Sequence, residues 1–143
     1  HGRVFHFRVG CVGHHRRVGL AAHHSTLGGV GPRGGVGGGV IAAAGSSPAY
    51  FFLFLQAMQE ESMKMGFDAQ TARNMVQQAM LGAAEMVCHN PDIELSELRA
   101  QVTSKGGTTA AAINTFIDKG LQDTVSAAMR AAVDRAEEMA KQL

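Results

Sequence analysis

"SSPAYFFLFLQAM", residues 46–58, is the stretch that decides the fold. Ser47 can cap a helix, and Pro48 suits the first turn because the amide that proline lacks would have no partner there. The predicted helix runs to Met65, and Gly66 closes it. Its first half is apolar on every side. A helix of that kind is buried all round, so this one should lie in a core.

The next helix is predicted to begin after Asp68, whose carboxylate can cap it, and to end at "HNP", residues 89–91. Its apolar residues recur at spacings of three and four, as on one face of a helix. They are Ala72, Met75, Val76, Ala79, Met80, Ala83 and Val87.

Three further helices complete the prediction. They are a short helix at Glu94–Gln101 with Leu95, Leu98 and Val102 facing inward, a helix at 109–119 that ends at Gly120, and a last helix from about Gln122 to the C-terminus. No part of 48–143 alternates between apolar and polar residues like a strand. The sequence therefore predicts an all-α helical bundle domain at 46–143.

Two surfaces indicate that this bundle is an intertwined homodimer. The first helix carries more bulky apolar surface than one small bundle readily encloses. The last helix has alanines that allow close contact with another helix. Its apolar stripe is Val125, Met129, Ala132, Val133, Ala136 and Met139. We therefore predict that two copies associate through the first and last helices.

The first 47 residues have a different chemistry. They hold 13 of the 18 glycines, 6 of the 7 histidines and no acidic residue, and five arginines give them a formal charge of +5. The remainder has eight basic and twelve acidic residues, so its charge is −4 and the sum is +1. The tract "GGVGPRGGVGGGV" at 28–40 lacks the apolar residues that would offset the ordering entropy of so many glycines. We therefore predict that the Gly/His/Arg-rich segment 1–45 has no regular structure and that 6–45 is mobile.

The segment gives only weak support for three kinds of binding site. Gly29-x-Gly31-x-x-Gly34 matches the dinucleotide fingerprint, but no clear strand precedes it and no acidic residue follows about 20 positions on. The histidine pairs at 14–15 and 23–24 have no carboxylate or close cysteine to complete a metal site. Five arginines with two aromatic residues are too few to indicate nucleic-acid binding. The sequence therefore predicts no metal and no nucleic-acid partner.

The cellular location is predicted from the cysteines and the longest apolar run. Cys11 and Cys88 have no metal-type spacing and are too few for a disulfide framework, so free thiols in a reducing cytoplasm are predicted. The run "AYFFLFL" at 49–55 is far shorter than the roughly 18 residues that span a membrane. We therefore predict a cytoplasmic protein with no membrane partner.

The stretch "VTSKGGTTAAAI", residues 102–113, joins two predicted helices. Its two glycines let a ligand approach closely, and the amides that start the next helix favour an anion. Hydroxyls of Ser104, Thr108 and Thr109 can orient a small polar group. The stretch thus predicts a pocket for a carboxylate or phosphate. A purely structural alternative is a glycine C-cap followed by a threonine N-cap.

Together with "SSPAYFFLFLQAM" and "AMRAAVDRAEEMAKQL" at 128–143, this loop resembles the C-terminal dimerisation domain of pyrroline-5-carboxylate reductase. The resemblance covers about 45–143 without a break, and the combination of motifs is specific. It implies reduction of 1-pyrroline-5-carboxylate to proline with NADPH or NADH, the last step of proline biosynthesis.

The resemblance also implies roles for the loop residues. In the family the loop holds the substrate carboxylate through backbone N–H groups and a serine hydroxyl. The matching substrate-binding positions are Ser104, Gly106, Gly107, Thr108 and Thr109. Thr109 is the catalytic position among them, because it would face the ring nitrogen. Lys105 stands where many relatives have proline.

The stretch that resembles the family does not include the family's N-terminal Rossmann domain. "GRVF" at 2–5 resembles the strand that closes that domain, and residues 6–45 then look like a wrong reading frame or an insertion. No nicotinamide cofactor is expected to bind this chain alone, and the chain is predicted to be inactive alone. Two interpretations stay open: a reductase fragment that supplies the dimer interface and the substrate loop, or a non-catalytic helical dimerisation protein.

Overall fold

The described part of the chain is entirely helical. The computed structural model describes residues 36–142. In order, the elements are α1 (Val36–Val40), a π-helix (Ile41–Gly45), α2 (Ser47–Lys64), α3 (Ala69–His89), α4 (Leu95–Gln101), α5 (Thr108–Asp118) and α6 (Leu121–Lys141). The all-α prediction is therefore confirmed for these residues.

The segment before α2 corrects the prediction that 6–45 lacks regular structure. Residues 36–45 are helical, while the fingerprint glycines and histidine pairs of the segment lie outside the described residues. The physical reason is tertiary packing. Both α1 and the π-helix pack against α6, and Ala42 is only 1% exposed. An apolar contact of this kind offsets part of the entropy cost of ordering glycines.

The start of α2 also differs in detail from the prediction. α2 begins at Ser47, but the Ser47 hydroxyl donates back to the carbonyl of Ala43 at 2.7 Å and does not cap the helix. The preceding residue, Ser46, is itself in helical conformation. Since the chain enters α2 from a helix, the first amides of α2 do not need a capping hydroxyl.

Together, α1, the π-helix and α2 form one helix, Gly37–Lys64, that is mostly apolar. Within the described residues it is long and apolar enough, at 28 residues, to cross a membrane by length and composition alone. This helix is longer than the unbroken apolar run at 49–55, because α1 and the π-helix extend α2 at its N-terminus. The core helix of a soluble assembly passes the same test.

The turn between α2 and α3 forms as the sequence predicts. α2 ends at Lys64, and Gly66 follows with φ of +110°, a conformation that favours glycine. Asp68 caps α3 by accepting from the backbone N–H of Thr71 at 2.7 Å and from its hydroxyl at 3.1 Å. α2 and α3 then pack on each other, with Ala72 and Val76 buried.

The C-terminal helices α5 and α6 contact the N-terminal helices. Gly120, with φ of +81°, makes the tight turn between these two helices. α6 packs against α5 and against the N-terminal segment. The rings of Phe54 on α2 and Phe116 on α5 lie 5.6 Å apart between centroids.

The single subunit has very little core of its own. Among the described residues the buried apolar side chains are Ala42, Ala72, Val76 and Leu98. Leu95 and Val102 are 66% and 57% exposed, so the prediction that they face inward is wrong within one chain. The apolar faces of the helices form, but most of their area has no cover from the same subunit. A second subunit is the natural cover for so much apolar surface.

Cys88 does not match its prediction. It is disulfide-bonded in the structure, which corrects the expectation of a free thiol there. Cys11 lies outside the described residues.

The Asp68 cap gives a testable pH dependence. The hydrogen bonds from Thr71 hold the pKa of Asp68 below its ordinary value of 3.8. Because the folded-state pKa is lowered, the stability from this cap is present above the unfolded-state pKa and is lost as the pH falls through the folded-state pKa. Below pH 3.8 we therefore expect a fall in melting temperature that is smaller in Asp68→Asn, whose amide oxygen still caps but does not titrate. Melting curves by circular dichroism across this range measure it. Equal slopes for both proteins would contradict the assignment.

Candidate functional site

The loop between α4 and α5 begins by finishing α4. The N–H groups of Val102 and Thr103 donate to the carbonyls of Arg99 and Ala100 at 3.2 and 3.1 Å. The Thr103 hydroxyl donates to the Arg99 carbonyl at 2.6 Å. These bonds satisfy carbonyls at the end of the helix. Thr103 therefore has a structural role, and the two glycines that follow are not needed as the C-cap of α4.

The two glycines shape the turn into α5. Gly106 has φ of +70°, a left-handed conformation that side-chain-bearing residues rarely adopt. The N–H of Gly107 donates to the carbonyl of Ser104 at 3.1 Å, which closes the turn. A Cβ at Gly107 would collide with the Ser104 hydroxyl and lie 3.3 Å from the Ser104 carbonyl oxygen. The Ser104 hydroxyl therefore sits against Gly107, directly before the first turn of α5.

The N-terminus of α5 has no side-chain cap. Gly107 is the N-cap residue, in extended conformation, and Thr108 and Thr109 are the first two residues of the helix. The structural alternative of a threonine N-cap is therefore wrong. The first-turn amides have no intrahelical acceptor, and the first turn contains no acidic residue. This end of α5 can offer its N–H groups and the positive end of its dipole to an anion.

The hydroxyls predicted at the site remain available in the structure. Ser104, Thr108 and Thr109 are exposed, whereas Gly107 is half-buried. The hydrogen bonds of residues 37–142 include none from these three hydroxyls, in contrast to those of Thr103 and Thr115, which donate to backbone carbonyls. The structure thus brings all the predicted site residues to one helix start.

The charge at the loop is positive. Lys105 is exposed and, within the described part of the chain, forms no ion pair, since the ion pairs there join Lys64 to Glu61 and Arg135 to Glu138. Its ammonium group adds to the dipole of α5 in attracting an anion. Amides, hydroxyls and one lysine can bind and orient a carboxylate.

Two further features were not singled out from the sequence. The Tyr50 hydroxyl on α2 is buried and has no hydrogen-bond partner among the described residues. A groove of about 470 Å³ also lies between α2 and α3. Its lining is Phe52, Leu55, Gln56, Gln59, Arg73, Val76, Gln77 and Met80. A lone tyrosine and three separate glutamines on two helices give no sequence signal for either feature, because both depend on how α2 packs.

Residues that could hold a metal or a dinucleotide are not grouped in this part of the molecule. Residues 36–142 contain no cluster of three or more His, Cys, Asp or Glu side chains suited to a metal ion. Every element in that range is a helix, so the range does not offer the strand, glycine loop and helix that hold a dinucleotide.

Comparisons with known proteins agree on one family. Residues 38–139 match the family described as pyrroline-5-carboxylate reductase dimerisation. The pyrroline-5-carboxylate reductase of Vibrio alginolyticus is 65% identical over 102 residues, covering 71% of this chain and 38% of the relative. That of Haemophilus influenzae is 58% identical over 100 residues, covering 70% of this chain and 37% of the relative. The chain therefore spans less than two fifths of the length of these relatives.

Solved structures give the same result. A pyrroline-5-carboxylate reductase from Coxiella burnetii superposes with a TM-score of 0.67 at 39% identity, over 71% of this chain and 37% of the other. The Plasmodium falciparum pyrroline carboxylate reductase, solved with NADP bound, superposes with a TM-score of 0.67 at 28% identity, over 71% of this chain and 38% of the other.

Proposed function

The chain belongs to the pyrroline-5-carboxylate reductase dimerisation family, and on that premise we propose that it supplies the dimer interface and the substrate loop of such a reductase. The proposed reaction is the NADPH- or NADH-dependent reduction of 1-pyrroline-5-carboxylate to L-proline. The observation that carries the proposal is the uncapped N-terminus of α5, with the hydroxyls of Ser104, Thr108 and Thr109 beside it. The proposed location is the cytoplasm.

The substrate carboxylate is proposed to bind at the start of α5. Backbone N–H groups of Gly107 and Thr108 and the Ser104 hydroxyl donate to its oxygens. In the free chain the Gly107 N–H is used within the turn, bonded to the Ser104 carbonyl at 3.1 Å, so it is shared or released when the carboxylate binds. Gly106 contributes its left-handed conformation, which keeps side chains away from the ligand. Hydrogen bonds to a charged carboxylate are stronger than those between neutral groups, so this contact fixes the ring.

Thr109 is proposed to orient the ring nitrogen. It is the second residue of α5, beyond the carboxylate position along the helix. Its hydroxyl can hydrogen-bond the imine nitrogen and stabilise the charge that develops there as the imine carbon is reduced. The reduction needs a nicotinamide donor, and the described residues do not fit one, so the cofactor belongs to another part of the working enzyme.

A second candidate function is that of a non-catalytic helical dimerisation protein. The scarcity of buried side chains in one subunit favours association as a function in its own right. This candidate makes no use of the α5 N-terminus. Catalysis in a protein with a complete cofactor domain separates the two candidates.

A chimera tests the proposed function. The region of the Vibrio alginolyticus reductase that precedes the matched C-terminal part is fused in frame to residues 38–143 of this chain. We expect NADPH oxidation that depends on 1-pyrroline-5-carboxylate, with the intact Vibrio enzyme as the positive control. A chimera that folds and dimerises without turnover would favour the non-catalytic candidate.

The 143-residue chain by itself is expected to show no turnover above background. The reason is that its described elements are all helices and do not offer a dinucleotide-binding unit. The assay is the same, with protein purified from a host that lacks its own reductase. Sustained proline formation by that sample would refute this expectation.

A further inference from the structure

The two glycines before α5 differ in what a side chain would do there. Gly106 has φ of +70°, where a side chain strains the backbone, but a Cβ at this position would meet nothing within 4 Å. Gly107 has φ of −86° and ψ of −178°, an extended conformation that any residue adopts. The backbone at Gly107 therefore does not require glycine.

The space beside Gly107 is occupied by Ser104. A Cβ at Gly107 would collide with the Ser104 hydroxyl oxygen, and it would lie 3.3 Å from the Ser104 carbonyl oxygen and 3.7 Å from the Ser104 Cβ. The distance of 3.7 Å is an ordinary contact, and the distance of 3.3 Å needs a shift of only a few tenths of an ångström. A side chain at position 107 thus excludes the observed position of one atom, the Ser104 hydroxyl oxygen.

The Ser104 hydroxyl can turn away from such a side chain at little cost. Ser104 is exposed, and its hydroxyl makes no hydrogen bond within the described part of the chain. A serine hydroxyl has three staggered positions about the Cα–Cβ bond, and a Cβ at Gly107 excludes the one that the structure shows. Because no hydrogen bond breaks when the hydroxyl moves to another of these positions, the fold tolerates the change, but the hydroxyl no longer lies against the N-cap of α5.

We propose that Gly107 is a positioning residue: the absence of its side chain leaves room for the Ser104 hydroxyl at the N-cap of α5, where the hydroxyl donates to a bound carboxylate. This role rests on the proposed function, which places the substrate carboxylate at the same helix start. It is separate from the role of the Gly107 backbone N–H, which any residue except proline would keep. A side chain at 107 therefore removes the hydrogen bond from Ser104 and leaves the N–H in place.

A double-mutant cycle in the chimera described above tests the proposal. Gly107→Ala is expected to raise the KM for 1-pyrroline-5-carboxylate about tenfold, which corresponds to one hydrogen bond to a charged group. The value of kcat should stay nearly unchanged, because the carboxylate is bound alike in the ground state and the transition state. Ser104→Ala should have a similar effect. When Gly107→Ala is added to Ser104→Ala, KM should change by less than about twofold, since the hydroxyl with which the Cβ collides is already gone.

The cycle separates positioning of Ser104 from direct obstruction of the ligand. If the Cβ at 107 meets the carboxylate itself, the two substitutions multiply in their effect on KM, and the proposal is overturned. Melting temperatures give a matched control. Gly107→Ala should melt like the parent, whereas Gly106→Ala should melt lower, because position 106 has the left-handed backbone. An equal fall in Gly107→Ala would mean that the whole loop is displaced, which would also overturn the proposal.

A measurement without catalysis distinguishes this proposal from the proposed function. In the full chain, NMR couplings between the Hα and Hβ atoms of Ser104 report which staggered position its hydroxyl occupies. We expect the parent to populate the position that the structure shows and Gly107→Ala to lose it. Couplings that do not change would overturn the positioning role even if the chimera is active. A chimera without turnover would count against the proposed function, while the couplings would still decide the role of Gly107.

Discussion

In the chimera described above, Thr109→Ala is expected to lower kcat/KM by about tenfold to a thousandfold, or roughly 1.4–4 kcal/mol of transition-state stabilisation. The Thr109 hydroxyl lies at the second residue of α5 and is exposed next to the proposed carboxylate position. Its loss would leave the imine nitrogen without a hydrogen bond at the moment when charge develops there. Steady-state kinetics of the variant and the parent chimera give the ratio.

The same substitution should leave stability nearly unchanged. Gly107 is the N-cap of α5, so removing the Thr109 hydroxyl breaks no cap. Alanine also has a higher helix propensity than threonine, by several tenths of a kcal/mol. We therefore expect a melting temperature equal to that of the parent or slightly higher. A purely structural role for Thr109 makes the opposite prediction of lower stability with full activity.

Two variants control the experiment. Thr115→Ala removes another threonine hydroxyl from α5. This hydroxyl donates to the Ala111 carbonyl at 2.9 Å and does not belong to the loop. It should leave kcat/KM unchanged. Thr109→Ser keeps the hydroxyl and should retain most of the activity. Full activity in Thr109→Ala would defeat the catalytic role of this residue.

The turn between α2 and α3 and the turn between α5 and α6 could be predicted because their causes are local. Asp68 caps α3 with bonds that span only three residues, so the sequence contains the whole interaction. Gly66 and Gly120 stand where the backbone takes a positive φ, which glycine adopts most readily. Such positions are visible in a sequence without knowledge of the rest of the fold.

The helix before α2 could not be predicted because its cause is remote. Val133, which meets Gly38, lies almost a hundred residues further along the chain. Composition gives the cost of ordering glycines but not the contact that offsets it. The periodicity of α4 failed at Leu95 and Val102 for a related reason. A spacing of three and four marks an apolar face, but it does not say whether the same chain or another covers it.

The sequence predicts the loop, but it does not show that its hydroxyl residues have different roles. Thr103, Ser104, Thr108 and Thr109 look alike in the sequence. Their roles differ because α4 ends at Gln101 and α5 begins at Thr108, which places the Thr103 hydroxyl over an α4 carbonyl and leaves the other three free of such bonds. Sequence patterns do not locate helix ends to a single residue, so they do not assign these roles.

Leu53→Asp is expected to raise the dimer dissociation constant of the chain at least about 100-fold, or about 2.7 kcal/mol. Leu53 is 68% exposed in the single subunit, within the all-round apolar part of α2. Burying one leucine is worth about 1.5–3 kcal/mol, and a buried unpaired carboxylate costs more. In a two-fold symmetric dimer the change occurs twice. Sedimentation velocity at micromolar concentration measures the shift from dimer to monomer.

The exposure of Leu53 in one chain makes this test specific for the interface. An aspartate there meets solvent in the isolated subunit, so a loss of association cannot be ascribed to a spoiled core. Gln70→Asp is the control, since Gln70 is an exposed polar residue in the first turn of α3, where an acidic residue suits the helix dipole. The control should dimerise like the parent. A parent chain that sediments as a well-folded monomer, or a Leu53→Asp variant that remains dimeric, would show that α2 is not the association surface.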